Sequence, residues 1–238
     1  MLQQAAEVGP PSLLGISVRR SITLGRVYLL VGAGLSIFYS AVFALAAGPS
    51  FVTVFPVLLP VIAVMGGLGG MVVFTNDRLK GVFEYLIAYG LTPLRLFANI
   101  LLASLVLESI VLGAGCLVGL GIYAATGHAL SWALGTALGL YTIPMSYASV
   151  AFTATVGMVW TSLSSPRAGM NSPIGLLPIV GVTPALVTLV AALAAVATRA
   201  VPARLVTTVA ILLLVVVVFG LLRLVARRLP PERLLSPT

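Results

Sequence analysis

Long apolar runs recur along the whole chain, and they limit what it can fold into more than any other feature. Each run has about 18 residues or more, enough for a helix to span a hydrocarbon core about 30 Å thick. We assign six such spans, at about residues 27–47, 53–74, 96–125, 134–161, 174–197 and 205–226. The runs are continuous rather than alternating, which excludes a transmembrane β-barrel. The sequence therefore predicts an all-α, polytopic membrane protein in which residues 1–238 form one transmembrane domain.

Charged residues are scarce, and their placement gives the spans an orientation. Only 8% of the residues are charged and 60% are hydrophobic, whereas a soluble domain carries about 25% charged residues. With a cytoplasmic N-terminus, only Arg199 and Arg204 of the 13 basic residues fall on the outer side. Basic cytoplasmic loops are the rule in membrane proteins. We therefore predict a multi-pass protein of the cytoplasmic (inner or cell) membrane with both termini inside, and a net charge that reflects topology rather than nucleic-acid binding.

The segment before the first span, residues 12–25, combines apolar and small residues with two arginines. Its apolar positions are Leu13, Leu14, Ile16 and Val18, and Arg19 and Arg20 follow them. This pattern predicts an interfacial helix on the cytoplasmic leaflet. The arginine pair also resembles a twin-arginine signal, but the apolar run after it is as long as a full span, whereas a signal h-region has about 7–15 residues. We therefore expect an uncleaved first span.

The chain lacks the residues that would let it hydrolyse ATP or hold a metal. Lys80 is the only lysine, and its neighbours do not form the phosphate-binding pattern G-x-x-x-x-G-K-[ST]. Cys116 is the only cysteine, so no disulfide can form within the chain, and His128 is the only histidine, so no His-based metal cluster is available. We therefore predict no catalytic residue, no metal site and no cofactor in this chain, and any energy must come from another subunit.

Small residues and prolines predict how the spans pack. Three sets have the small-xxx-small spacing that lets helices approach closely in lipid: residues 66–70, Gly115 with Gly119, and Gly135 with Gly139. We expect packing within the chain, and one set could instead form a dimer face. Pro144, Pro173, Pro178 and Pro184 lie within or beside spans. Each removes a backbone donor, so spans 4 and 5 are predicted to bend.

A charged segment, TNDRLKGVFEYLIAYGLTPLR at residues 75–95, separates spans 2 and 3. Thr75 or Asn76 can cap a helix, and Gly90 stands where a glycine commonly ends one. Thr92 and Pro93 provide the N-cap and first residue of the next helix. The pattern predicts a short helix over residues 77–89, followed by a long one that begins at Pro93.

The short helix has two different faces. One face carries Leu79, Val82, Phe83, Leu86 and Ile87, and the opposite face carries Asp77, Gly81, Glu84, Tyr85 and Ala88. This arrangement suits a helix that packs its apolar face on the protein's own cytoplasmic ends and offers the other face to a partner. A helix resting on lipid headgroups is the alternative.

Asp77, Arg78, Gly81, Glu84 and Leu86 match in order the acidic-Arg-x-x-Gly-x-x-Glu-x-Leu block of ABC-2 type transporter permeases, which this chain resembles. The resemblance extends to the layout of an interfacial N-terminal helix, six spans and two cytoplasmic termini. The chain departs from the family at Val82 and Gly90, and the stretch ATRAVPARL between spans 5 and 6 is short. Haem-exporter permeases of the cytochrome-maturation type are similar in this block.

The resemblance implies a transmembrane permease subunit of an ATP-driven exporter of hydrophobic or amphipathic substrates, not an enzyme. Family permeases work in pairs, as homodimers or heterodimers, above two ATP-binding subunits that bind ATP and Mg. The matched block would be the coupling helix, with Asp77, Arg78, Gly81, Glu84, Tyr85 and Leu86 as the residues that couple to the ATPase. A membrane scaffold or assembly subunit that transports nothing is the competing hypothesis.

Glu108 is the only acidic residue placed inside a span. Its stripe on span 3 comprises Leu101, Ser104, Glu108, Leu112, Gly115 and Gly119. Because a carboxylate that faces lipid costs a few kcal/mol, such groups normally face a bundle interior or water. On one hypothesis Glu108 is protonated, or hydrogen-bonded to a hydroxyl such as those of Tyr141, Tyr147 or Thr153, and only holds helices together. On the other it lines the substrate path or the subunit interface, with Ser104.

Overall fold

The computed structural model describes residues 13–163, the four helical positions 183, 184, 187 and 190, and residues 203–228. Within these ranges the regular structure is helical and contains no strand, which confirms the all-α prediction for them. The helices are α1 (Leu13–Leu24), α2 (Arg26–Ala46), α3 (Phe51–Gly67), α4 (Gly69–Leu79), α5 (Val82–Ala88), α6 (Pro93–Ala125), α7 (Trp132–Ala137), α8 (Ile143–Leu163) and α9 (Ala203–Arg228). A 3-10 turn (Gly48–Ser50) precedes α3, and a π-helical turn (Leu138–Thr142) joins α7 to α8.

Four helical stretches are long and apolar enough to cross a membrane. They are Arg26–Ala46, Phe51–Arg78, Pro93–Ala125 and Trp132–Val159, and they cover the first four predicted spans. The fifth predicted span, 174–197, lies almost wholly outside the described residues, and the sixth, 205–226, falls within the backbone of α9. These lengths and compositions give the described part of the chain the character of a membrane protein.

Helix α6 is the longest element among the described residues, and it begins where the sequence indicates. Thr92 has extended backbone angles, and its side-chain oxygen accepts a hydrogen bond from the backbone N–H of Arg95, while Pro93 occupies the first helical position. The helix then runs for 33 residues to Ala125. At about 1.5 Å per residue it is about 50 Å long, which exceeds the thickness of a hydrocarbon core.

Two hydrophobic clusters form the core at opposite ends of the long helices. One cluster surrounds Phe74, near the end of α4, and includes Phe97 near the start of α6 and Met158 near the end of α8. The other surrounds Phe51, at the start of α3, and includes Tyr123 near the end of α6. These positions require that α6 runs antiparallel to both the α3–α4 stretch and α8. Helix α1 packs on α4 and α6 at the Phe74 end.

The glycine-rich residues 66–70 lie at the junction of α3 and α4, pressed against α6 and α8. A Cβ atom on Gly69 would lie 2.7 Å from Cδ1 of Leu107, and one on Gly67 would collide with the side chain of Val150. Contact this close requires glycine, so the prediction of packing within the chain is confirmed here.

The same test distinguishes the other two glycine pairs. A Cβ on Gly119 would lie 2.8 Å from the ring of Phe55, and one on Gly115 would collide with the hydroxyl of Ser36, so this pair also packs within the chain. Around Gly135 and Gly139 nothing lies within 4 Å of a Cβ. The prediction of internal packing is therefore wrong for Gly135 and Gly139 in the described structure, because they lie on an outer side of α7 and the π turn.

Two prolines inside α3, at positions 56 and 60, open its hydrogen-bond ladder. Pro60 has no N–H to donate to the carbonyl of Pro56, four residues earlier. The hydroxyl of Thr142, in the π turn, donates to this carbonyl oxygen at 2.7 Å in a buried position. A neighbouring helix thus satisfies a backbone group that lipid could not, as membrane proteins require. The π turn ends two residues before Pro144, the proline at which the sequence predicts a bend in span 4.

We predict that Thr142→Val destabilises the protein by about 1–3 kcal/mol, because it leaves the Pro56 carbonyl buried without a donor. The free energy of unfolding in detergent micelles measures the effect. Thr153→Val is the matched control, since Thr153 is equally buried but donates only to the carbonyl of Ser149 in its own helix. In a Pro60→Ala background, which restores the missing N–H, Thr142→Val should cost clearly less. An equal cost in both backgrounds would contradict this account.

Candidate functional site: an exposed helix and a buried polar cluster

The chain between spans 2 and 3 departs from the predicted helix over residues 77–89 at its beginning. Helix α4 continues to Leu79, so Thr75 lies inside that helix, where its hydroxyl donates to the carbonyl of Met71 at 3.0 Å. The chain turns at Gly81, whose φ of 67° is in the left-handed region that disfavours other residues. The separate short helix α5 then covers Val82–Ala88. The predicted start is therefore wrong, and Thr75 and Asn76 do not cap the helix.

Asp77 belongs to α4 and faces inward rather than toward a partner. Its side chain is 6% exposed and forms a two-point ion pair with Arg20 of α1. Nη1 of Arg20 donates to Oδ2 at 2.8 Å, and Nη2 donates to Oδ1. The two side chains lie at the edge of a cavity of about 110 Å³ between α1, α4, α5 and the start of α6. The prediction that Asp77 shares a face with Glu84 is therefore wrong, because a contact with α1 holds it in α4. Arg78, next to it, is half-buried.

Helix α5 buries one side in the protein and exposes the other. Phe83 is 1% exposed, and its ring centroid lies 5.2 Å from that of Phe74, which in turn lies 5.4 Å from that of Phe97. Leu86 packs partly buried against the same cluster. On the other side Glu84 is exposed and Tyr85 is 70% exposed. The structure thus agrees with the predicted inward positions of Phe83 and Leu86 and the outward positions of Glu84 and Tyr85.

The exit from α5 is fixed by its backbone. Gly90 has a φ of 82°, its N–H donates to the carbonyl of Ile87 at 2.9 Å, and the N–H of Leu91 donates to that of Leu86 at 3.0 Å. This pair of hydrogen bonds is the Schellman motif, which the predicted helix-ending glycine anticipates. Tyr89, 83% exposed, extends the outer face and was absent from the predicted site. Its position four residues after Tyr85 is the signal that could have identified it.

We define the docking face as Glu84, Tyr85 and Tyr89. Two of its three members are large aromatic side chains whose exposure is not explained by the packing of the described residues. Large, rigid aromatic side chains are enriched where proteins bind each other. Gly81 supports this face through its backbone angle, and a Cβ there would lie 3.4 Å from the carboxylate of Glu84.

The second predicted site centres on Glu108, which is fully buried in the middle of α6. Its Oε1 accepts a hydrogen bond from the hydroxyl of Ser146 in α8. The predicted hydroxyl partner is therefore confirmed, but it is none of the three hydroxyls named as examples. The hydroxyl of Tyr147 instead lies 2.7 Å from that of Ser109, Thr153 donates within its own helix, and the buried hydroxyl of Tyr141 has no hydrogen bond to the described residues.

A stripe of buried hydroxyl side chains on the fourth span includes Ser146, the partner of Glu108, and was missed from the sequence. Its members are Thr142, Ser146, Ser149 and Thr153, at intervals of four, three and four residues, and all are fully buried. That helical spacing was visible in the sequence and predicts a polar stripe on one side of span 4. On α6, Ser104 is also fully buried one turn from Glu108, and its hydroxyl has no hydrogen bond to the part of the chain described. Of the other residues in the stripe predicted on α6, Leu112, Gly115 and Gly119 are buried and Leu101 is half-buried.

Comparisons of the chain with protein-family models, with curated proteins and with solved structures find no match in any of the three.

The contribution of the Arg20–Asp77 ion pair to the free energy of unfolding can be measured. In a double-mutant cycle with Arg20→Met and Asp77→Asn, we expect a coupling energy of about 0.5–3 kcal/mol in the free energy of unfolding, because one partner alone is left buried without its opposite charge. Arg19→Met with Asp77→Asn is the control cycle, since Arg19 is exposed on the same helix. Equal coupling in both cycles would show that general electrostatics, not this pair, attaches α1 to α4.

Proposed function

We propose that the chain is the transmembrane permease subunit of an ATP-driven exporter of the ABC-2 type, with six spans in the cytoplasmic membrane and cytoplasmic termini. A separate subunit would bind ATP and Mg and hydrolyse the ATP, and a second permease copy or homologue would complete the pathway for a hydrophobic or amphipathic substrate. The observation that carries the proposal is the two-faced helix α5 in the matched sequence block. It buries Phe83 in the protein and presents the docking face outward.

The position of α5 is suited to passing movement into the spans. Its buried Phe83 contacts Phe74 of α4, and Phe74 in turn contacts Phe97 of α6, so a row of three rings connects α5 to both of these helices. The left-handed turn at Gly81 and the Schellman motif at Gly90 make the connections of α5 to those helices short and fix their backbone. A displacement of the docking face is therefore transmitted to α4 and α6 together.

The structure changes which residues we assign to the ATPase contact. Glu84 and Tyr85 remain in the proposed contact, and Tyr89 joins them. Leu86 anchors α5 from the inside, and Gly81 shapes the turn. Asp77 acts through α1 rather than through direct contact, and Arg78 remains at the end of α4 beside it.

Variants of the docking face test the proposal. We expect Glu84→Arg and Tyr85→Ala each to weaken binding of a P-loop ATPase by about 2–5 kcal/mol if the contact is buried, which lowers the affinity at least about tenfold. Pull-down from native membranes, with mass spectrometry and ATPase assay of the bound fraction, measures this. Trp132→Ala is the control, because Trp132 is an equally exposed aromatic residue at the opposite end of the bundle.

Two outcomes separate the alternatives. Full ATPase recovery with both variants would contradict a coupling role for α5. Recovery of other membrane proteins, without any P-loop subunit, would favour the scaffold hypothesis. Gly81→Leu is unsuitable as a test of contact, because the left-handed backbone at Gly81 strains any larger residue regardless of a partner.

The proposed orientation has its own test. In a Cys116→Ala background, Lys80→Cys should react with a membrane-impermeant maleimide only from the cytoplasmic side, and Leu130→Cys only from the outside. Both positions are exposed, so neither result depends on unfolding. Labelling of both cysteines from the same side would overturn the topology.

A further inference from the structure

No positively charged side chain among the described residues forms an ion pair with Glu108. Two acidic side chains are buried in the described part of the chain, and the other, Asp77, has Arg20 as its partner. Glu108 accepts one hydrogen bond from Ser146, and the backbone N–H of Gly67 lies near the carboxyl group. Its Oε2 nevertheless has no hydrogen bond of normal geometry within the described structure. An ionised carboxylate in such surroundings is strongly disfavoured.

The helices packed on α6 bring no compensating group to this level of the bundle. Their ionisable residues among the side chains that the structure describes are Arg19 and Arg20 in α1, Arg26, Tyr28 and Tyr39 in α2, Asp77 and Arg78 in α4, Tyr147 in α8, Arg223 in α9, Tyr141 in the π turn, and Arg95, Cys116 and Tyr123 on α6 itself. Helix α3 has none. Within the described contacts, no residue of this set forms an ion pair or hydrogen bond with Glu108.

Close helix contacts lie one turn to either side of Glu108. A Cβ on Gly70 would collide with the hydroxyl of Ser104, and a Cβ on Gly66 would collide with the side chain of Val111. A metal cation needs several oxygen ligands around it, whereas among the described side chains Ser146 alone forms a hydrogen bond with the Glu108 carboxyl group. The described contacts therefore favour a proton over a metal cation.

We propose that Glu108 is a proton-binding site in the centre of the bundle. Oε1, which accepts the hydrogen bond of Ser146, is the carbonyl-type oxygen, and Oε2 carries the proton. The reaction is the binding of one proton to one carboxylate, and no other reactant takes part. The inference is independent of whether α5 binds an ATPase.

Proton exchange at this site requires movement of the helices. Glu108 is 0% exposed, and the contacts around it join α6 to α8 and to the α3–α4 junction. Water reaches the carboxyl group only when these helices separate, so loss of the proton is linked to opening of the bundle. By the same linkage the bound proton favours the closed packing.

Infrared spectroscopy of the purified protein in lipid nanodiscs tests the assignment. At about pH 8, far above the ordinary glutamate pKa of about 4.3, we expect the wild type to show the C=O stretching band of a neutral carboxylic acid. Glu108→Gln should abolish the band, and Asp77→Asn should retain it. Absence of the band in the wild type, or its loss only in Asp77→Asn, would overturn the proposal.

Ser146→Ala provides a second measurement that leaves the carboxyl group in place. We expect the band to persist and to move to higher frequency, because the carbonyl-type oxygen loses its hydrogen bond. An unmoved band would contradict the assignment of Oε1. This arm decides the question even where Glu108→Gln fails to fold.

The pH dependence of stability gives an independent readout. The folded state keeps the proton, whereas the unfolded chain exposes Glu108 to water and loses it above about pH 4.3. Above about pH 4.3 the folding equilibrium of the wild type should therefore fall relative to that of Glu108→Gln, by up to about tenfold per pH unit, until the folded protein also releases the proton. Parallel curves for the two proteins would overturn the proposal, whether or not the ATPase experiments succeed.

Discussion

The close contact between the glycine-rich α3–α4 junction and its neighbours is the constraint on which the rest of the described structure depends. Side chains of Leu107 and Val150 occupy the space that a Cβ would need at Gly69 and Gly67. In lipid, where apolar side chains gain little by leaving their surroundings, such packing is a main source of helix association. The contact fixes α6 and α8 against the same stretch, and thereby brings Glu108 to Ser146 at one level and Phe74 to Phe97 at another.

Two kinds of polar group follow from this packing, and each has a different physical setting. At the Phe74 end, the charges of Arg20 and Asp77 pair at the edge of the bundle and attach α1 to α4. In the centre, the hydroxyl of Ser146 donates to the Glu108 carboxyl group and that of Thr142 donates to the Pro56 carbonyl. The polar interactions there are hydrogen bonds from neutral hydroxyl groups and not ion pairs. The docking face on α5 lies beyond the first set, joined to the spans through Phe83.

Local features of this chain could be predicted from its sequence, and features fixed by distant contacts could not. The first four apolar spans and the turns at Gly90 and Pro93 were predicted correctly, because each depends on residues that are close together in the sequence. The predicted start of α5 was too early because Thr75 and Asn76 are residue types that commonly cap helices. In the structure α4 continues through them, and Asp77 of α4 contacts Arg20, which is 57 residues away in the sequence. The partner of Glu108 was missed because the choice between Ser146 and Tyr147 depends on which side α8 turns inward.

The π turn at Leu138–Thr142 determines which side of α8 faces the interior. A π turn closes its hydrogen bonds over one residue more than an α-helical turn, and one residue corresponds to about 100° of rotation about a helix axis. Were this turn to relax into regular helix, α8 would rotate by about that angle relative to α7. Ser146 would swing away from Glu108, and Thr142 away from the Pro56 carbonyl, in a single step. The residue inserted in the π turn therefore determines that hydroxyl groups of α8, rather than apolar side chains, face the interior.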